Sequence, residues 1–101
     1  MAETIIARVR RGAKLLDKTL PGWEKKIRLH DLDLNNCEVC ILGQLYRSYF
    51  KGLDALFDGD LAYKARYLYG FSSLRKDKLM KRLTRTWGRF ILGRLALLFR
   101  G

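Results

Sequence analysis

The last quarter of the chain, residues 74–100, constrains the fold most, because it has the periodicity of one long amphipathic helix. Apolar residues recur there at intervals of three and four positions, and the set is Leu79, Leu83, Trp87, Phe90, Ile91 and Leu98. The opposite face of the same helix is cationic, and its members are Lys78, Lys81, Arg82, Arg85 and Arg89. Such a helix needs a core for its apolar face to cover, so it predicts a compact all-α domain.

The positive charge of the protein is concentrated in this segment. Residues 74–100 contain nine Lys and Arg against one acid, Asp77, and so carry eight of the eleven net positive charges. A net positive charge of this size favours an anionic partner. The candidate classes are nucleic acid, an acidic protein and an anionic membrane surface. A role in solubility alone is the other interpretation of the charge.

The length and composition predict one helical domain over residues 1–101. The chain has a single Pro and no long Ser/Gly tract, which argues against a disordered linker. The N-terminus lacks the apolar stretch of a secretion signal, and no run reaches the about 20 apolar residues that span a bilayer. The longest candidate, Phe90–Phe99, is interrupted by Arg94. With two cysteines and no export signal, we expect a reduced, cytoplasmic protein.

The first helix is predicted from about Ile5 to Leu20. Thr4 is placed to cap it, and Pro21-Gly22 is placed to end it. Gly12 suggests a close crossing with another helix, so we expect this first helix to be scaffold. Trp23 follows the stop signal and is expected to anchor the chain in the core.

The second helix is predicted to be the central one, because its apolar arc is the widest. Asn35 or Asn36 is the expected cap, in a capping box, and the helix is expected to continue to Phe57. Gly43 and Gly52 weaken the propensity of this segment for helix. We therefore expect both glycines to mark the close approach of a neighbouring helix.

A turn at Asp58–Asp60 separates the second helix from a short third one. This third helix is predicted over residues 61–69, with Asp60 as its cap and Gly70 as its end. Phe71 is expected to pack inward, and one serine of the Ser72-Ser73 pair is expected to cap the last helix. The prediction is therefore a bundle of about four helices.

Several short motifs resemble a group of small proteins encoded by phages and prophages of Gram-positive bacteria. The motifs are RGAKLLD at Arg11–Asp17, PGW at Pro21–Trp23, IRLHDLDL at Ile27–Leu34, CILGQLY at Cys40–Tyr46 and YFKG at Tyr49–Gly52. The similarity extends over most of residues 11–90. It implies a phage or prophage origin and a compact helical domain, but it implies no activity. With such an origin, the expected cytoplasmic location is that of the host cell.

The pair Cys37-x-x-Cys40 is the motif with the clearest potential for metal or redox chemistry. A structural zinc site needs four ligands, and the chain offers Cys37, Cys40 and His30, with Asp31, Asp33 or a second subunit as the source of a fourth. A redox pair would require a βαβ context, which the helical pattern lacks. We therefore expect no metal and no cofactor, with Cys40 partly buried and Cys37 incidental.

Catalytic motifs are missing from the sequence. The single His leaves little choice of general base, and no Walker-type phosphate loop or nucleophile motif is present. Five aspartates are predicted to lie in turns and caps, where this residue has a structural role, namely Asp31, Asp33, Asp54, Asp58 and Asp60. A carboxylate pair for metal-assisted nuclease chemistry is the alternative interpretation of these residues. We therefore expect a protein that is not an enzyme and has no small-molecule substrate.

These patterns together predict a small basic accessory protein that binds nucleic acid through its phosphates, with little sequence preference. The binding residues would be the cations of the last helix, namely Lys78, Lys81, Arg82, Arg85 and Arg89. One alternative is an inhibitor of a host protein. The resemblance to phage proteins, and nothing else, implies that such an inhibitor would be an anti-CRISPR or another anti-defence protein. A second alternative is peripheral binding to a membrane surface. Both a monomer and a homodimer are compatible with the sequence.

Overall fold

A computed structural model describes residues 4–57, 59, 61–72 and 76–99, without the side chains of residues 61–63, 76–78 and 98–99. Over these residues the chain forms five α-helices, one 3-10 helix and no strand, which confirms the predicted all-α fold. The helices are α1 (Ile5–Thr19), α2 (Ile41–Tyr46), α3 (Tyr49–Leu56), α4 (Leu61–Leu68) and α5 (Lys76–Phe99), and the 3-10 helix Trp23–Lys26 lies between α1 and α2.

Helix α1 begins and ends where its local signals predict. The Thr4 hydroxyl oxygen accepts a hydrogen bond from the Ala7 amide at 3.2 Å, which satisfies a donor of the first turn. Leu20 is the C-cap, one residue after the last helical position, and Gly22 then turns the chain with a φ of 82°. Trp23 is fully buried, as expected of a core anchor.

The predicted central helix is two helices, so the prediction of one helix up to Phe57 is wrong. The chain breaks between α2 and α3 at Arg47, which has a φ of 68°, and the Ser48 hydroxyl then caps α3. Because the apolar arc is too wide for one straight helix to bury, the break lets two short helices each turn an apolar side inward. A Cβ at Gly52 would lie 2.8 Å from the Cβ of Leu42, which confirms the expected close approach there.

The cap of α2 is Cys40, so the predicted capping box at Asn35 or Asn36 is wrong. The sulfur of Cys40 accepts a hydrogen bond from the Gly43 amide at 3.2 Å. The Asn36 side chain instead accepts from the Glu38 amide at 3.0 Å and closes a turn that precedes the helix. Gly43 lies against the backbone of this same turn and not against a neighbouring helix, which corrects the prediction for that glycine.

The chain leaves α4 at Gly70, which has a φ of 73°, and this confirms the expected stop. Phe71 then packs inward and is only 2% exposed. Of the predicted turn at positions 58–60, only Gly59 is described. The predicted cap of α4, Asp60, lies outside the described residues, and so does Ser73 of the Ser72-Ser73 pair.

The long helix α5, 24 residues from Lys76 to Phe99, covers the core with one face, as predicted. Leu83, Trp87 and Ile91 are each at most 2% exposed, and the Leu98 side chain lies outside the described ones. The Trp87 ring stacks on Phe71 with a centroid distance of 5.7 Å, and its Nε1–H donates to the Gly70 carbonyl at 2.6 Å. The tryptophan thus ties α5 to the end of α4.

Helices α1 and α5 pack directly on each other near Gly12. A Cβ at this position would collide with the Tyr69 carbonyl oxygen and would lie 3.0 Å from the Trp87 ring, so the predicted close crossing is confirmed. None of the described helices combines the length and the apolar character needed to cross a bilayer.

Candidate anion-binding surface

The cations predicted on the outer face of α5 are exposed wherever their side chains are described. This outer face consists of Lys81, Arg82, Arg85 and Arg89, whereas the side chain of Lys78 lies outside the described ones. Arg85 precedes Trp87 by two residues and Arg89 follows it by two, so each points about 160° away from the buried Trp87. The burial of the core residues therefore forces these cations outward.

None of these four cations is neutralised within the described part of the chain. The ion pairs found there join Arg28 to Asp31 at 3.4 Å and Arg94 to Asp17 and Glu24, and none includes a cation of the outer face. Asp77 is the one acid of the α5 sequence and lies at its N-terminal end. The full charge of the outer face is therefore available to a ligand.

The spacing of the outer face costs stability. Lys81, Arg85 and Arg89 follow each other at intervals of four residues, which makes them neighbours on the helix surface. Like charges at this spacing destabilise a helix by about 0.2–0.5 kcal/mol per pair, whereas an acid in the middle position would stabilise it by a similar amount. Because this row of like charges lowers the stability of the helix, its presence is better explained by a role in contacting an anion.

A second cationic surface, which does not follow from the sequence pattern, lies between α1 and α5. We call it the α1–α5 groove; its volume is about 510 Å³ and its lining residues are Ala7, Arg10, Arg11, Lys14, Phe90 and Arg94. Helix α1 was expected to be scaffold only. The spacing of Arg10 and Lys14, one helical turn apart, was the signal for a cationic face on α1, but only the packing brings Phe90 and Arg94 beside it.

Two of the four cations in the α1–α5 groove are engaged by the protein. Arg94 donates to both carboxylate oxygens of Asp17, at 2.5 and 2.9 Å, and its Nη1 lies 3.3 Å from a carboxylate oxygen of Glu24. The Arg94 hydrogen bond lowers the pKa of Asp17, and the Asp17 hydrogen bond raises that of Arg94. Arg11 donates from Nη1 to the Leu68 carbonyl at 2.9 Å.

The other two cations of the groove, Arg10 and Lys14, are exposed and have no ion pair or hydrogen-bonded side-chain partner within the described residues. Phe90, on α5, is half-buried and lies under the Arg94 guanidinium, whose central carbon is 4.8 Å from the ring centroid. The groove thus combines two available cations with an aromatic ring.

The cysteine pair and His30 do not form a metal site in this structure. Cys37 and His30 are exposed, whereas Cys40 is 2% exposed and its sulfur caps α2. In the described part of the chain no three His, Cys, Asp or Glu side chains lie close enough together to hold a metal ion. Burial raises the pKa of the Cys40 thiol, which disfavours the thiolate that a metal would require.

Both cationic surfaces suit a ligand that carries several negative charges, because each presents separate cations along a helix and not a single enclosed pocket. Long Arg and Lys side chains at intervals of a helical turn can follow a chain of phosphates. Comparison of the chain with protein-family models, with curated proteins and with solved structures found no match.

Proposed function

We propose that this protein is a non-enzymatic, phage-encoded accessory protein that binds nucleic acid through its phosphates, with the outer face of α5 as the contact surface. The observation that carries the proposal is the exposure of Lys81, Arg82, Arg85 and Arg89 on one side of a helix whose other side is buried in the core. The phage origin is part of this proposal and rests only on the resemblance of short motifs in the sequence to those of phage proteins.

The geometry of the outer face suits a polyanion. From Lys81 to Arg89 the helix rises about 12 Å, because each residue adds about 1.5 Å. Phosphates follow each other about every 3.4 Å along the axis of one DNA strand, so this face extends along several of them. Every phosphate neutralised by a lysine or arginine releases counterions, which makes such binding favourable at low salt and strongly salt-dependent.

The composition of α5 supports binding without sequence preference. Residues 74–100 contain no Asn or Gln, the side chains that most often read adenine edges. The arginines of the outer face are suited to guanine, but contact with phosphate requires no particular base and no entry into a groove. We therefore expect similar affinities for duplexes of different sequence.

The experiment compares two charge-reversal variants in a fluorescence anisotropy titration with a labelled mixed-sequence duplex at low salt. Arg82→Glu with Arg85→Glu changes the outer face, and Lys51→Glu with Lys64→Glu changes two exposed lysines on α3 and α4. Both variants change the net charge of the protein by the same amount, so any difference between their affinities reports where on the surface the charge was reversed. We expect the outer-face variant to bind at least about tenfold more weakly than the control variant and to show a shallower salt dependence.

Equal affinities of the two variants would show that the outer face is not the contact surface. Leu92 and Leu97 of α5 are 57% and 68% exposed. A helix surface that combines such apolar side chains with cations could also bind a membrane surface or a host protein. Sedimentation with anionic vesicles, or stoichiometric capture of a host protein at high salt, together with no binding of nucleic acid, would support one of those alternatives instead.

A further inference from the structure

We propose that the α1–α5 groove binds single-stranded nucleic acid, with phosphates at Arg10 and Lys14 and a base against Phe90. The inference rests on the proposed function and adds a second contact surface and a preference for strand form. It follows from the juxtaposition of two available cations and an aromatic ring in one concave surface of about 510 Å³.

The cations of the groove have two different roles: some stabilise the fold, and others are available to bind a ligand. Arg94 is held by Asp17 and Glu24, so its positive charge is offset within the protein. Arg10 and Lys14, by contrast, are exposed and one helical turn apart on α1, which separates them by a rise of about 6 Å. Two phosphates of one strand can therefore be contacted from the same side of the helix.

The aromatic ring of Phe90 favours the binding of a single strand over that of a duplex. Phe90 lines the groove together with Arg10 and Lys14, and the Arg94 guanidinium lies over its ring at 4.8 Å, so the base of a bound nucleotide would stack on this pair of guanidinium and ring. The bases of a single strand are free to stack on an aromatic side chain, whereas those of a duplex are paired and already stacked.

The electrostatics of a concave surface strengthen this assignment. Charges of one sign that line a groove with low-dielectric walls focus the field and raise the local concentration of an oppositely charged ligand. Arg10 and Lys14 supply charge of this sign because both are exposed and lie one turn apart on α1, whereas the charge of Arg94 is offset by Asp17 and Glu24.

The test is an anisotropy titration of the full chain with a labelled oligothymidylate and, separately, with a labelled blunt duplex. Arg10→Glu with Lys14→Glu reverses the two groove cations, and Lys51→Glu with Lys64→Glu is the control with the same change of net charge. We expect the groove variant to bind the single strand at least about tenfold more weakly than the control variant. Its affinity for the duplex should equal that of the control.

A second variant, Phe90→Leu, tests the ring while it keeps an apolar side chain in this half-buried position. It should lower the affinity for oligothymidylate by about fivefold or more and leave the duplex affinity unchanged. Thermal unfolding followed by circular dichroism establishes that each variant is folded.

Three results would overturn the inference about the groove: equal single-strand affinities of groove variant and control, an equal loss for both strand forms, or an unchanged affinity in Phe90→Leu. None of these depends on the outer face. The proposed function fails separately, if Arg82→Glu with Arg85→Glu leaves duplex binding at the level of the control variant.

Discussion

Arg94 joins α5 to α1 through a bidentate ion pair with Asp17, a residue 77 positions earlier in the chain. The same carboxylate accepts a hydrogen bond from the Trp23 indole at 2.9 Å, so one side chain connects α1, the 3-10 helix and α5. In the sequence Arg94 only interrupts an apolar run. The structure explains why a cation occurs at this position, because Arg94 donates hydrogen bonds to the carboxylates of Asp17 and Glu24 where α1, the 3-10 helix and α5 meet.

Replacement of Asp17 by Asn should lower the free energy of unfolding by about 1–2 kcal/mol. Hydrogen bonds between charged groups contribute about 1.5–3 kcal/mol, and solvent reduces this value because the Arg94 and Asp17 side chains are 32% and 39% exposed. Urea unfolding at neutral pH measures the change. Asp31→Asn, which breaks the more exposed pair with Arg28, is the control and should change stability by less than about 0.5 kcal/mol.

The stabilisation from Asp17 should also depend on pH in a defined direction. Arg94 lowers the pKa of Asp17 below its ordinary value of 3.8, so the folded state releases the proton more easily than the unfolded state. The contribution is therefore fully present above that ordinary value and is lost as the pH falls through the lowered pKa. Urea unfolding from about pH 7 to about pH 2 should show wild type and Asp17→Asn converging in acid. A gap that stays constant over this range would exclude Asp17 as the source.

Two glycines in helices should respond to alanine with opposite signs. Gly12→Ala places a Cβ against the Tyr69 carbonyl oxygen and the Trp87 ring, so we expect destabilisation by about 1–3 kcal/mol from overpacking. Gly88→Ala on α5 meets nothing within 4 Å and should stabilise the protein by about 0.5–1 kcal/mol, because alanine has the higher helix propensity. Thermal unfolding of both variants checks the pair, and a tolerated Gly12→Ala would mean that α1 does not pack this closely on Tyr69 and on the Trp87 ring of α5.

The two thiols should react at very different rates with a disulfide reagent. Cys37 is exposed, whereas Cys40 is 2% exposed and has a pKa raised by burial, so one thiol should react quickly in the native protein and the second only on unfolding. Cys37→Ala should abolish the fast phase. Two fast thiols in the folded wild type would contradict the burial of Cys40.

Cys40→Ala provides a second readout on stability. The change removes the acceptor for the Gly43 amide and should destabilise the protein by about 1–2 kcal/mol, as the loss of a helix cap does. Cys37→Ala changes an exposed residue and is the matched control, with an expected effect within about 0.5 kcal/mol.

Features that depend on neighbouring residues follow from the amino-acid sequence alone. The helix from Ile5, its Thr4 cap, the stop after Leu20 and the two faces of α5 follow from periodicity and capping, which act within one or two turns. The exposure of Arg82 and Arg85 belongs to this group, because burial of Trp87 on one side of a helix determines what the other side presents.

Features that depend on residues far apart in the chain arise only when the helices pack against each other. The break at Arg47 requires α2 and α3 to fold against each other, and apolar patterning alone does not distinguish two short helices from one long one. The α1–α5 groove likewise exists only after α1 and α5 pack in the register set by Asp17 and Arg94. Interactions between neighbouring residues determine where a helix forms. The register of α1 on α5 depends instead on the fit of side chains from segments that most of the sequence separates.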